Sequence, residues 1–181
     1  MTHIFLTGER QLGKSTLLRR VLAGLPALRL GGFRTVTAAE ADGASGPVYL
    51  VPAAQEPPQY GDDNRVAIRL GRGRGAVGYP EAFDRAGTAA LRDAEKADLI
   101  VMDEIGFLEA EALRFRARIG ELLDGDTPIL GVVRQRGESA QQQAIRTHPK
   151  VRIIEVTKDN RDSLCPEILD FFLRQRGKGR K

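Results

Sequence analysis

Cysteine is nearly absent from this 181-residue chain: Cys165 stands alone, which excludes an intramolecular disulfide. Histidine is almost as scarce, and His3 and His148 beside one cysteine make no Cys/His metal site. Long apolar runs are missing too. The longest, Leu99 to Met102 and Ile129 to Val133, fall far short of the roughly 20 residues that span a bilayer. The first residues, Met1 to Gly8, lack the basic flank and apolar stretch of a signal peptide, so a cytoplasmic location is expected. No internal repeat and no linker rich in Pro, Ser or Gly divides the chain.

What is present is a globular composition, 41% apolar and 29% charged. A chain of this length buries roughly 70% of its unfolded surface, enough for a core without staples. One domain over 1–175 and one copy per molecule are expected. Residues 176–181 form a basic, flexible tail, a solubilising end before it is an arm for nucleic acid. The net charge is +4, carried by 22 arginines against 6 lysines. Arginine suits bidentate recognition of phosphate, which is compatible with an anionic ligand.

Short apolar runs alternate with helical periodicity, predicting a three-layer α/β/α fold around a mostly parallel sheet. Strands are expected at His3 to Thr7, Val66 to Leu70, Leu99 to Met102, Pro128 to Val133 and Val151 to Val156. Gly31 to Thr37 and Pro47 to Val51 read as an antiparallel hairpin turning at Asp42-Gly43. Helices are expected from about Ser15, over Glu81 to Lys96, along Leu108, Ala112, Phe115, Ile119 and Leu122, through Gln141 to Ile145, and around Leu164 to Phe172.

The segment Gly8-Glu9-Arg10-Gln11-Leu12-Gly13-Lys14-Ser15, followed by Thr16, matches G-x-x-x-x-G-K-[ST] without a mismatch. About 0.005 chance matches are expected from this composition over about 174 start points. The match also follows a strand and opens a helix, as a phosphate-binding loop must. Backbone N–H groups from Gly8 to Thr16 can cradle a polyphosphate at the positive end of the helix. Lys14 can reach the β- and γ-phosphates, and the Ser15 hydroxyl can ligate Mg²⁺.

Such a site needs an acid at the carboxyl end of a buried strand. Leu99-Ile100-Val101-Met102-Asp103-Glu104 supplies two. Asp103 is the candidate Mg²⁺ partner through water, and Glu104 the candidate base or positioner for the attacking water.

Arginines could complete it. Arg134 and Arg136 follow the Pro128–Val133 strand, and Arg134 is the candidate for the transition state. Arg72 and Arg74 lie on the glycine loop Gly71 to Gly78, which could fold over the phosphates as a lid. That loop fits G-x-G-x-x-G, but Pro80 interrupts the following helix and no apolar strand ending in an acid follows at the spacing of about 20 residues such a site needs, so a dinucleotide site is rejected. Asn160 could pair with a base edge and Arg161 stack on its face, or the segment could be a turn with the last helix capped by Asp162 or Ser163. No Asn-Lys-x-Asp guanine signature occurs.

Four segments together resemble the THEP1 family, also called cancer-related nucleoside triphosphatases: the phosphate loop, Gly32-Phe33-Arg34-Thr35, Met102-Asp103-Glu104-Ile105-Gly106, and Val156-Thr157 through Asn160-Arg161. The resemblance implies a P-loop domain that hydrolyses ATP, GTP and other nucleoside triphosphates with Mg²⁺ and little base preference. It maps Gly8, Gly13, Lys14, Ser15 and Thr16 to phosphate and metal, and Asp103 and Glu104 to the acidic motif. The chain departs from the family at Glu9, Arg10 and Gln11, where small residues and prolines are usual. Backbone contacts survive any side chain, and Glu9 is expected to point outward or pair with Arg10. Two alternatives stay open. One is a kinase whose acceptor binds Arg34 or the Pro52 to Asp63 segment; the other is a nucleotide-gated module that binds RNA or protein.

Overall fold

The apolar runs of the sequence become strands of one sheet. The computed structural model describes residues 2–38, 45–71, 74–135 and 139–178, with side chains through Gln175. Strand β1 (His3–Thr7) leads into helix α1 (Lys14–Gly24), and β2 (Leu30–Thr37), β3 (Ser45–Pro52), β4 (Arg65–Leu70) and β5 (Ala76–Gly78) follow. Short helical turns α2 (Pro80–Ala82) and α3 (Thr88–Ala90) precede β6 (Leu99–Ile105) and α4 (Leu113–Asp124). The chain ends through β7 (Ile129–Val133), α5 (Ala140–Thr147), β8 (Val151–Glu155) and α6 (Arg161–Lys178).

The sheet order is β5-β4-β3-β2-β6-β7-β1-β8. Strands β2, β6, β7, β1 and β8 pair in parallel, and β3, β4 and β5 extend them as an antiparallel meander. The expected fold class holds, including the hairpin of β2 and β3; its turn falls on residues 39–44, outside the described residues.

The central strands are apolar throughout because successive side chains enter different layers. Ile4, Leu6, Leu99, Val101, Leu130 and Val132 pack with Leu17, Leu18 and Val21 of α1 and Ile168 of α6. Phe5, Ile100, Met102, Ile129 and Val133 pack on the other face with Phe83, Phe115 and Ile119.

Several boundaries differ from expectation. The helix expected over Glu81 to Lys96 is broken: α2 passes into a π-helical turn (Phe83–Gly87), then α3, then left-handed Asp93 and a 3₁₀ turn (Ala94–Lys96). The wide turn wraps Phe115, whose ring lies 2.3 Å from where a Cβ on Gly87 would stand. It also lets Asp84 Oδ1 accept from the Phe115 N–H at 2.8 Å, capping α4 from another element. Helix α4 therefore starts at Leu113, and Leu108 lies before it. Pro80 starts a helical turn instead of interrupting one, since its missing N–H costs nothing at a first position. Helix α6 runs three residues into the expected tail; residues 179–181 lie outside the described residues. Among the described residues, no helix is long and apolar enough to cross a membrane.

Candidate active site

The turn after β1 is built for close backbone approach. Gly8, at φ 131°, lies where a Cβ would come within 2.5 Å of the Val156 carbonyl, so only glycine fits. Gly13 caps α1 in the left-handed region, and neither a capping side chain nor an acid occupies the first turn. The N-terminal amides of α1 are thus left open to an anion. Lys14 Nζ donates to the carbonyls of Gly8 (2.9 Å) and Glu9 (2.6 Å), bracing the loop with one N–H to spare. Glu9 and Arg10 are exposed, and Glu9 is not among the residues lining the cavity that Lys14 and Ser15 line.

Strand β6 delivers the acids to the same place. Its pairing with β7 shifts between Met102 and Ile105, placing one extra residue at Asp103–Glu104. Such a bulge re-aims side chains that a regular strand would send to opposite faces. Asp103 Oδ1 accepts from Ser15 Oγ at 3.1 Å. Burial pushes the Asp103 carboxyl up to about 6; the Ser15 hydrogen bond opposes the rise and Glu104 adds to it. Glu104 lines a cavity of about 540 Å³ with Gly8, Arg10, Gln11, Gly13, Lys14, Ser15, Thr16, Thr37, Arg69 and Arg134. Burial also lowers the Lys14 ammonium from its ordinary range, against the pull of Glu104 and Asp103.

The oxygens of Ser15 and Asp103 are hard donors. Among the described residues, no group of three His, Cys, Asp or Glu could hold a metal ion alone. Two protein oxygens beside a polyphosphate cradle fit Mg²⁺, which completes its shell with water and substrate phosphates.

The other expected residues divide. Arg134 follows β7 and lines the cavity, its guanidinium 4.7 Å from the Phe107 ring centroid. Its carbonyl accepts from Gln142 Nε2 at 3.1 Å and from Arg146, which fixes the backbone beneath it. Arg72 and Arg136 lie outside the described residues. The Gly71 to Gly78 lid is not a free loop: its second half is β5, and a Cβ on Gly78 would stand 2.0 Å from the Leu108 carbonyl. Arg74 is exposed and donates to the Leu70 carbonyl within its own turn, so it does not reach over the phosphates.

The amide of Asn160 is engaged by the turn before α6. Its Oδ1 accepts from Thr157 N (2.8 Å), its Nδ2 donates to Glu155 O (2.9 Å), and Thr157 Oγ1 accepts from Asn160 N. In this structure the amide serves the turn before α6. Arg161 is half-exposed beside Asp162 and is not among the residues lining the cavity. Arg34, the acceptor-binding candidate, is tied to Gln55 O (2.9 Å) and Glu56 Oε1 (2.5 Å) of the segment expected to share that role.

Two residues were missed by reading the sequence. Arg69 lines the cavity from β4, and Glu109 lies buried beside it. Glu109 accepts from the Gly106 N–H at 2.5 Å, and burial pushes its carboxyl up to about 7. Neither stands in a recognisable motif. Only the direction of β4 would have pointed to Arg69.

The family model described as NTPase matches residues 3–169. A nucleoside-triphosphatase THEP1 of Methanosarcina acetivorans is 30% identical over 98% of this chain and all of its own length. Another, from Methanocaldococcus jannaschii, is 27% identical over 94% and 96%. The crystal structure of THEP1 from Aquifex aeolicus superposes with a TM-score of 0.70 at 22% identity, covering 94% of this chain and 98% of that one, and so shares the fold. The solution structure of a human cancer-related nucleoside triphosphatase gives 0.64 at 25% identity, covering 94% and 96%. A phosphate loop and acidic strand end in one cavity, in a chain matched along almost its whole length, establish that it belongs to the THEP1 family of nucleoside triphosphatases and is an enzyme of that class.

Proposed function

We propose that the chain hydrolyses ATP, GTP and other nucleoside triphosphates to diphosphate and phosphate, with Mg²⁺, slowly and with low base selectivity. The observation that carries this reading is the 3.1 Å contact of Ser15 with Asp103, with Glu104 and Arg134 lining the adjoining cavity. Backbone amides of Gly8 to Thr16 and the α1 N-terminus bind the phosphates. Lys14 offers its remaining N–H to the β- and γ-phosphates. Ser15 Oγ would hold Mg²⁺ directly and Asp103 through water; bound there, the ion neutralises charge developing on the β- and γ-oxygens. Glu104 orients the attacking water and takes its proton, and Arg134 stabilises the γ-phosphate.

Slow turnover follows from how loosely the arginines are held. Arg134 rests over Phe107, and no hydrogen bond to its guanidinium is formed among the described residues. P-loop enzymes lacking an arginine fixed over the γ-phosphate turn over at about 10⁻³ to 10⁻² per second, and that range is expected here. Low selectivity follows from Asn160, whose amide is bound to backbone. Stacking alone tolerates every base, so discrimination stays near a factor of about 10 to 30.

Phosphate release from each nucleoside triphosphate, with Mg²⁺ or with EDTA, tests this, with Lys14→Ala as the inactive control. No release from any triphosphate overturns hydrolysis. Turnover above about 10 per second overturns slowness. A preference beyond about a thousandfold for one base overturns low selectivity.

A further inference from the structure

We infer that Arg69 is a substrate-contacting residue whose guanidinium engages the terminal phosphate of a bound nucleoside triphosphate and so favours triphosphate over diphosphate. The inference rests on the hydrolytic reading of the cavity and adds to it a residue that no phosphate-loop motif supplies.

Topology brings Arg69 there. Strand β3 runs antiparallel to β2, and β4 antiparallel to β3, so β4 runs in the direction of β2. The carboxyl end of β4, where Arg69 lies, therefore reaches the edge at which β2 ends in Thr37 and β6 in Asp103 to Ile105. Although β4 is five strands from β1 in the sheet, Arg69 lines one cavity with Gly8, Lys14 and Ser15. It also lines a cleft of about 30 Å³ with Glu104, Gly106, Glu109 and Arg134. It thus approaches from the side of Glu104, where water would attack the terminal phosphate.

Its bonding state points to a ligand. The Nε of Arg69 is buried without a partner. Arg34 and Arg116 have buried, unpartnered Nε atoms as well, but Arg34 is held by Gln55 and Glu56, and Arg116 by the Ala110 carbonyl. Among the described residues the Arg69 side chain has no hydrogen bond and no ion pair. Its buried Nε–H is costly to leave in that condition, because it loses water and gains nothing.

Charge points the same way. Arg10, Lys14, Arg69 and Arg134 line the cavity, and among the described residues Glu104 is the one carboxylate in its lining. Burial and then Arg10 push the Arg69 guanidinium below its ordinary value; Glu104 opposes them and Arg134 adds to the fall. An anion between these cations relieves their mutual repulsion, and a planar fork suits phosphate oxygens. The loop amides take the phosphates nearest α1; the terminal one, reached by Lys14 and Arg134, keeps an oxygen for a further group arriving beside Glu104.

The test uses the full chain with Mg²⁺ and compares Arg69→Met, which keeps the stem and loses the fork, with Arg69→Lys, which keeps a cation. Binding of ADP and of a non-hydrolysable β,γ-imido ATP analogue is measured by calorimetry, and turnover by phosphate release. Arg69→Met should weaken the analogue by about tenfold to a hundredfold, the worth of a charged hydrogen bond. ADP affinity should move less than about twofold, and Arg69→Lys should fall between Arg69→Met and the unaltered chain. Equal losses for ADP and the analogue, or an unchanged ratio with unchanged turnover, overturn the inference. If Arg69→Met fails to fold, the Arg69→Lys ratio decides: unchanged, it overturns the inference; reduced, it supports it. A chain that binds the analogue in an Arg69-dependent way yet hydrolyses no triphosphate would overturn the hydrolytic reading and leave Arg69 in place.

Discussion

Ser15 Oγ donates to Asp103 Oδ1 at 3.1 Å across 88 residues of sequence, joining the N-terminus of α1 to the end of β6. The carboxyl it meets is buried and pushed up to about 6, so it gains from any cation beside it. Asp103→Asn keeps the shape and removes that charge. Phosphate release is expected to fall by at least about a hundredfold, consistent with the several kcal/mol a metal contributes to such a step. Melting temperature should hold or rise, because a penalised buried charge is gone. Near-normal release from the variant, followed across a Mg²⁺ titration, would remove Asp103 from the metal site.

Glu104 lies one residue further on and faces the cavity rather than the helix. Glu104→Gln retains its hydrogen-bonding reach but cannot accept a proton. Hydrolysis should slow by roughly two to four orders of magnitude while nucleotide affinity changes little. If single-turnover phosphate release is unchanged, Glu104 is no base and the water is positioned by another group.

The phosphate loop and the acid pair were legible because each is a local pattern: a fixed glycine and lysine spacing, and an apolar run ending in acids. The layers were legible because a strand covered on both faces is apolar at every position, as Leu99 to Met102 is. The broken helix after Pro80 was not, since its shape answers to Phe115, some thirty residues away, and its periodicity fits an unbroken helix equally well. Arg69 was hidden for a related reason. Its place at the cavity depends on two successive strand reversals, which no window of sequence contains.

Spacing leaves two readings of Asn160 equal, and the turn before α6 gives one of them a measurable consequence. With Thr157 it forms a reciprocal pair of side-chain-to-backbone hydrogen bonds before α6. Asn160→Ala should therefore cost about 1–2 kcal/mol of stability, the worth of a helix cap. The ratio of turnover on ATP to turnover on GTP should stay within about twofold of its original value. A large change in that ratio at unaltered stability would return Asn160 to the base site.

The histidine beside the start of β1 should set an acid limb on stability that two carboxyls oppose. His3 is fully buried, and its Nε2–H donates to the Leu123 carbonyl at 2.9 Å. Burial lowers its pKa from 6.5 to about 4, so between those values the unfolded chain takes up the proton first. Its contribution is complete above about pH 6.5 and is lost as pH falls toward 4. At 1.36 kcal/mol per pKa unit that amounts to about 3 kcal/mol. Asp103 and Glu109 run the other way: their folded values, about 6 and about 7, lie above the ordinary 3.8 and 4.5. Each favours the folded state at low pH and loses that advantage as pH rises through its own window. The whole-protein curve is therefore flattened, and the histidine emerges only by difference. His3→Gln keeps a donor for Leu123 and does not titrate in this range. In urea unfolding from pH 4 to 8, the stability of the original chain minus that of His3→Gln should climb by about 3 kcal/mol up to pH 6.5 and then level off. Glu109→Gln, which preserves an acceptor for the Gly106 N–H, should become relatively more stable as pH rises from about 4.5 to 7. A difference curve for His3→Gln that stays flat across the range would mean the imidazole is protonated as readily in the folded chain as in the unfolded one.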